Sequence, residues 1–209
     1  MLARESVPYL LVTAVWGILF YILLPVLAIL PAAAFLFILF FFRNPARRVV
    51  QNEAHVLSPA DGRVQAIEAI DHEDTFIRGR AVKISIFLSI FNVHFNRSPI
   101  NGKITYTAYR PGKHLPAFKS HASGLNEKNT AGIENSRIRV LVHQITGFLA
   151  RRVVFYPRRG DYLEQGQVFG LIKFGSCTEI IVPANVKVLV REGQKVTAGI
   201  TVIGVLKDD

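Results

Sequence analysis

Cysteine is almost missing from this chain: Cys177 is the only one in 209 residues. That excludes an internal disulfide and fits a reducing compartment. The six histidines, His55, His72, His94, His114, His121 and His143, form neither a His-x-His nor a His-x-x-x-Asp pair. The spacing a zinc peptidase needs is therefore absent, and no metal is expected. Methionine occurs only as Met1, so no methionine-flanked lysine marks the tip of a carrier hairpin. Acidic residues are few, 15 against 25 Lys and Arg, for a net charge of +10. Charge of either sign is missing altogether from Val7 to Phe42.

That uncharged run is too long for one straight crossing. As a single helix its 36 residues would reach about 54 Å, against a hydrocarbon core of ~30 Å. Pro25 and Pro31 interrupt it, so the sequence predicts an N-terminal helical membrane hairpin within residues 1–42, with helices near Val7–Leu24 and Ala32–Phe42. A cleaved signal ending at Ala32-Ala33-Ala34 fits less well, because the apolar run continues to Phe42. Arg4 precedes the hairpin and Arg43, Arg47 and Arg48 follow it, which places both flanks on the cytoplasmic side of the cell membrane. Arg4 and Glu5 cancel, so the whole +10 belongs to residues 43–209. A basic domain beside a bilayer is drawn to anionic headgroups. Its basic residues are scattered and accompany no nucleic-acid motif, so nucleic acid is not an expected partner.

Beyond Phe42 the apolar period is two. Val82, Ile84, Ile86 and Leu88 alternate with more polar neighbours, as do Ile138, Val140 and Val142, and Val186, Val188 and Val190. Gly-bearing turns at Asp61-Gly62, Asn101-Gly102, Gln165-Gly166 and Glu192-Gly193 separate the strands. The fold expected is mainly β, a β-sandwich or partly open barrel with many strands solvated on one face. Residues Val182 to Gly199 look like the hairpin of lipoyl and biotinyl domains, and Ser58 to Ile67 carries a fainter echo. Residues 113–132 are polar and aperiodic and read as a loop over a site or a disordered excursion.

Gly175-Ser176 ends an apolar strand, and this pair carries the most specific chemistry in the chain. A deprotonated serine hydroxyl can attack the carbonyl of the residue before it, and a glycine there offers no side chain to obstruct the approach. The resulting ester can eliminate to dehydroalanine, which hydrolyses to a pyruvoyl group. Such a serine needs a base, and a histidine oriented by a carboxylate is the usual arrangement. From the residues alone, Asp61 in its turn reads as a cap for its own backbone and His94 at a strand end as a buried, hydrogen-bonded histidine.

Ser58-Pro59-Ala60-Asp61-Gly62, Asn92-Val93-His94-Phe95-Asn96-Arg97-Ser98-Pro99 and Lys173-Phe174-Gly175-Ser176, in this order, resemble the short, prokaryotic form of the phosphatidylserine decarboxylases. The resemblance runs from Arg43 to near the C-terminus and includes Arg110-Pro111-Gly112-Lys113 and Asn126-Glu127-Lys128-Asn129. It implies a proenzyme that cuts itself into a β chain, residues 1–175, and an α chain, residues 176–209, held together as a heterodimer. It further implies a pyruvoyl cofactor made from Ser176, an Asp61-His94-Ser176 set, and phosphatidylserine as the membrane substrate, converted to phosphatidylethanolamine and carbon dioxide. Homodimer formation stays open. Many longer members carry a second histidine where this chain has Arg97, which leaves Arg97, with Lys113 and Phe118, as candidates for the headgroup pocket. Cys177 is expected to be a buried packing residue. The alternatives are an archaetidylserine decarboxylase with ether-linked substrate, and a membrane-anchored lipoyl-like binding module without activity.

Overall fold

The computed structural model describes residues 2–112, 126–147, 152–173 and 176–207, with Ser176 described for its backbone only. The chain divides into two compact units, Met1–Ala46 and Arg47–Asp209.

The first unit is a helical hairpin: α1 is Val7–Leu23, a 3-10 turn covers Pro25–Ala28, and α2 is Ile29–Phe41. α2 starts three residues before the expected Ala32. Pro31 lies in its first turn, where backbone N–H groups have no intrahelical partner, so its missing donor costs nothing. The hairpin closes where Ala3 N donates to Phe42 O at 3.1 Å and the Tyr9 and Phe42 rings stack at 5.7 Å. Arg4–Leu23, at 20 residues, is long and apolar enough to cross a membrane, whereas Pro25–Phe41 is a shorter apolar helix.

The second unit is mainly β, as the period-two pattern implies. Its strands are β1 (His55–Leu57), β2 (Gly62–Glu73), β3 (Gly79–Leu88), β4 (Phe95–Arg97), β5 (Gly102–Arg110), β6 (Lys128–Glu134) and β7 (Arg139–Thr146). They continue with β8 (Arg152–Phe155), β9 (Tyr162–Leu163), β10 (Val168–Lys173), β11 (Ser176–Pro183), β12 (Val186–Val188), β13 (Lys195–Val196) and β14 (Val202–Leu206). Eight form a curled half-barrel sheet in the order β13-β2-β3-β11-β7-β6-β5-β9. Two three-stranded sheets, β1-β14-β12 and β4-β10-β8, accompany it.

The main core gathers Ile84, Ile86, Leu88, Val140, Val142, Ile180 and Val182 with Val56, Phe169 and Ile203 from the smaller sheets. The two segments that echo one another lie side by side: β13 pairs with the start of β2, Lys195 opposite Arg63, while Gly199 N donates to Ser58 O and Ser58 N to Thr201 O. Gly62 is required at the start of β2, because a Cβ there would strike the Phe87 carbonyl.

The central strands depart from the expected one-sided burial. β7 is buried on both faces from Val140 to Thr146. The reason is a second cluster on the outer face, where Phe76, Ala81, Leu141 and Ile181 pack with Ile70, Ile77 and Tyr106. The Glu73 carboxylate folds the β2–β3 connection back by accepting the N–H groups of Thr75, Phe76 and Ile77 at 2.7–3.0 Å. Residues 128–132, expected in a loop, are strand. Their polar side chains are buried in hydrogen bonds, Asn129 to Gln144 and Thr130 to His143, which removes the apolar alternation that marks a strand.

Outer-face burial, and then the charge of Lys128, push the His143 pKa from 6.5 down to about 3. The folded protein therefore holds this ring neutral, while the unfolded chain protonates it below about pH 6.5. Stability should fall as pH drops from about 6.5 towards 3, by at most about 1.4 kcal/mol per pH unit from this group. His143→Gln should flatten that slope, as read from thermal unfolding across a pH series.

Candidate active site

The chain leaves β10 at Lys173 in one sheet and enters β11 at Ser176 in another. The expected cleavage site, Gly175-Ser176, lies at this crossing. Ser176 has Leu88 of β3 on one side and Thr146 of β7 on the other, so its backbone begins a strand held on both edges. Gly175, Lys113 and Phe118 lie outside the described residues.

His94 is fully buried and tied to both flanks of that crossing. Its carbonyl accepts the N–H of Ile172, four residues before Ser176, at 3.1 Å. On the other side, a short turn connects it to Leu88, the register partner of Ser176. Asn92 locks this turn, its Oδ1 accepting Ser89 N at 2.9 Å and Ser89 Oγ at 2.7 Å. The His94 Nδ1 lies 3.0 Å from Asn92 O. A carbonyl can only accept, so Nδ1 carries the proton and Nε2 holds the lone pair of the neutral ring. The ring is thus oriented as a base at Nε2 by a backbone carbonyl within its own motif.

Asp61 is engaged elsewhere. Arg47 grips its carboxylate with two bonds of 2.7 and 2.8 Å, with side chains only 7 % and 15 % exposed, and Ala198 N donates to Asp61 Oδ1 at 2.8 Å. Arg47 also donates to Ala198 O at 2.7 Å, closing a ring of three residues. No hydrogen bond joins Asp61 to His94 among the described residues. The link runs through backbone instead: Arg97 N, in the His94 strand, donates to Pro59 O at 3.0 Å.

Arg97 donates from Nη1 to Gly166 O at 3.0 Å. Burial and the nearby Arg47 charge lower its pKa, and Asp61 opposes them. Cys177 is buried and its thiol is pushed far above the usual range by desolvation, so it is no ready nucleophile.

Sequence reasoning did not find the buried amides that sew the two sheets together. Asn129 Nδ2 donates to Gln144 Oε1 at 3.0 Å, Gln144 Nε2 to Asn96 Oδ1 at 2.9 Å, and Asn96 Nδ2 to Thr178 Oγ1 at 2.9 Å. The signal was legible at Gln144 and Thr178, which continue the core-facing parity of Val140-Val142 and of Ile180-Val182. Asn126 Nδ2 donates to Thr146 O at 2.7 Å, and Thr146 N to Glu127 O at 3.0 Å. The 58–62, 92–99 and 126–129 blocks therefore adjoin Ser176 or the strands that flank it.

A family profile described as phosphatidylserine decarboxylase matches residues 34–204. The chain belongs to the phosphatidylserine decarboxylase family. A protein of Carboxydothermus hydrogenoformans named phosphatidylserine decarboxylase proenzyme is 52 % identical over 205 residues, covering 98 % of this chain and 96 % of the relative. Proteins of the same name from Symbiobacterium thermophilum and Syntrophus aciditrophicus are 44 % and 38 % identical. They cover 98 % and 97 % of this chain, and 95 % and 96 % of their own lengths.

The decarboxylase-family site generates a prediction at the Arg47–Asp61 pair. Removing one partner of a nearly buried, bidentate pair leaves the other charge stranded, which costs about 3–5 kcal/mol. Arg47→Gln and Asp61→Asn should each leave uncleaved chain, and the double variant should be no worse than either alone. The cleaved fraction on a denaturing gel measures this. Additive losses would show that the two residues act separately.

Proposed function

We infer that this protein is a self-processing phosphatidylserine decarboxylase, which removes the headgroup carboxylate as carbon dioxide and yields phosphatidylethanolamine for phospholipid synthesis. The observation that carries this reading is the meeting of His94, with its base nitrogen fixed by Asn92, and the Lys173–Ser176 crossing, within a chain similar to proenzymes along nearly all its length.

In maturation, the Ser176 hydroxyl attacks the Gly175 carbonyl and His94 Nε2 takes its proton. The bond between residues 175 and 176 is replaced by an ester to the serine oxygen. Elimination then releases Gly175 as a carboxylate and leaves dehydroalanine, which water hydrolyses, with loss of ammonia, to a pyruvoyl group at the head of the α chain. A serine opening a strand that is paired on both edges suits this group, because the new terminus stays anchored from its first residue. When formed, the pyruvoyl group supplies an electron sink for the electrons released as carbon dioxide departs. His94 then delivers a proton to the carbon that lost the carboxylate.

Asp61 completes the set as a positioning residue. Held by Arg47, it fixes the 58–62 turn on which the His94 strand rests, and it grips Ala198 of the future α chain. Arg97, half-buried beside this pair, contributes positive potential for the phosphate or carboxylate of the substrate. The apolar hairpin supports a domain held at the bilayer, where the diacyl substrate stays, and the arginines flanking it support a cytoplasmic orientation.

Intact mass tests the reading directly. Wild-type protein should separate under denaturing conditions into two chains, the smaller blocked at its N-terminus and reducible by borohydride. Ser176→Ala should remain one chain without activity, and His94→Ala should accumulate precursor. A wild-type chain that stays whole and still decarboxylates phosphatidylserine would overturn the proposal.

A further inference from the structure

A cavity of about 380 Å³ opens on the outer face of the large sheet, on the side of β11 occupied by Cys177 and Glu179. Arg110, Lys128, Thr130, His143, Tyr109 and Glu73 are among its lining residues. Arg110 and Lys128 are register partners on β5 and β6, and Lys128 stands opposite Ile145, itself opposite Cys177. The cationic end of the cavity is therefore two strands from the head of β11. Both cations belong to the blocks Arg110-Pro111-Gly112-Lys113 and Asn126-Glu127-Lys128-Asn129, to which the cleavage chemistry gives no role.

The polar groups here are unevenly satisfied. Glu73 spends its carboxylate on three backbone N–H groups. Thr130 Oγ1 and His143 Nδ1 share a bond of 2.9 Å, which commits one ring nitrogen and leaves Nε2 as the other polar atom of a buried neutral ring. Lys128 is half-buried, and its ammonium has no ion-pair partner within 4 Å among the described residues. Among the described residues, the charges that act on the His143 ring are Lys128, Lys83 and Arg110 against Glu73. Lys83 is itself paired with Glu68 at 2.7 Å, and the buried Glu179 acts on both Lys83 and Lys128. A half-buried ammonium beside a second cation, facing an open cavity, is a place where an incoming anion recovers desolvation already incurred.

We propose that this cavity binds a phosphate group, carried by a phospholipid headgroup or by a small soluble phosphate, with Lys128 and Arg110 as its cationic partners. The site does not rest on the decarboxylase reading, because it lies across the sheet from the main core and uses none of Ser176, His94 and Asp61.

The test uses the full-length protein in neutral detergent, titrated with inorganic phosphate, with glycerol 3-phosphate, and with mixed micelles containing phosphatidylglycerol or phosphatidylcholine. Lys128→Gln and Arg110→Gln should each weaken phosphate binding about tenfold. Lys187→Gln, the same charge change at an exposed position of β12, should leave binding unchanged. Dependence on Lys128 for both soluble phosphates assigns the site to soluble ligands. Dependence confined to phosphatidylglycerol micelles assigns it to a lipid headgroup, and either outcome supports the site. Equal losses in Lys128→Gln and Lys187→Gln, or no binding in any arm, would overturn it. Should Lys128→Gln fail to fold, the wild-type protein decides the matter: the ligand of the supporting arm should shift the His143 ring resonances, and unmoved resonances would overturn the proposal.

Discussion

Two-edged pairing of β11 is the constraint on which the rest of the domain depends. Ser176–Pro183 lies between β3 and β7, antiparallel to both, so its backbone polar groups are met within the sheet and its two faces feed two separate clusters. A strand in that position cannot leave without stranding the hydrogen bonds of both neighbours and opening both cores. Breaking the chain at its first residue therefore removes one covalent bond and none of the pairing. Two of the later strands also pair with residues before Ser176, β13 with β2 and β14 with β1, while β12 pairs with β14, so residues 176–207 are woven into the residues before them at three places. A central strand cut at its first residue would therefore begin at a new terminus and still be held on both edges.

The same need for satisfaction shapes the polar side chains near the crossing. Asn96, Gln144 and Asn129 are buried amides, each costly in an apolar interior unless bonded, and each finds its partner in the next until the chain of bonds reaches Thr178 on β11. Gly170 makes this possible, because a Cβ there would come within 2.7 Å of Gln144 Nε2. The network joins β4, which carries the His94 motif, to β11, which carries the serine. Misplacing any amide leaves a buried donor or acceptor without a partner, so the relative position of the two strands is over-determined. The Arg47–Asp61–Ala198 ring plays the corresponding part at the 58–62 turn, with a charged pair in place of amides.

Much of this was legible in the sequence, and what was not has identifiable causes. The uncharged run gave the hairpin, and period two gave β3 and the core face of β7. The ordered motif blocks gave residues around the crossing but not the crossing itself, since Gly175-Ser176 reads as the end of an apolar strand whereas Ser176 opens one. Burial of β7 on both faces was hidden, because Leu141 and His143 read as an exposed alternation, whereas Phe76, folded back by Glu73, packs with Leu141, and His143 is buried beside Thr130. β6 was hidden because Asn129 and Thr130 carry hydrogen bonds where apolar side chains would have signalled a strand. Arg47 read as one of the charges that orient the hairpin. Its partner lies 14 residues away, across a turn, and no local spacing announces a bidentate pair formed by tertiary contact.

The orientation of His94 shows why a spacing rule for catalytic sets reaches only part of the way. The rule asks for a carboxylate, because a carboxylate can fix the tautomer of the ring and stabilise its protonated form at once. Here the first task is done by Asn92 O, two residues away, in a turn that the Asn92 side chain itself closes. Every main chain offers carbonyls, so this donor-acceptor match leaves no trace in residue identity beyond an asparagine suited to turns. A carbonyl fixes which nitrogen carries the proton without placing a full negative charge beside the ring. The carboxylate of Asp61 is thereby released to hold the turn and the 197–199 segment. The ring N–H that a carboxylate would accept goes here to a backbone oxygen, while the Asp61 carboxylate is held in an ion pair with Arg47.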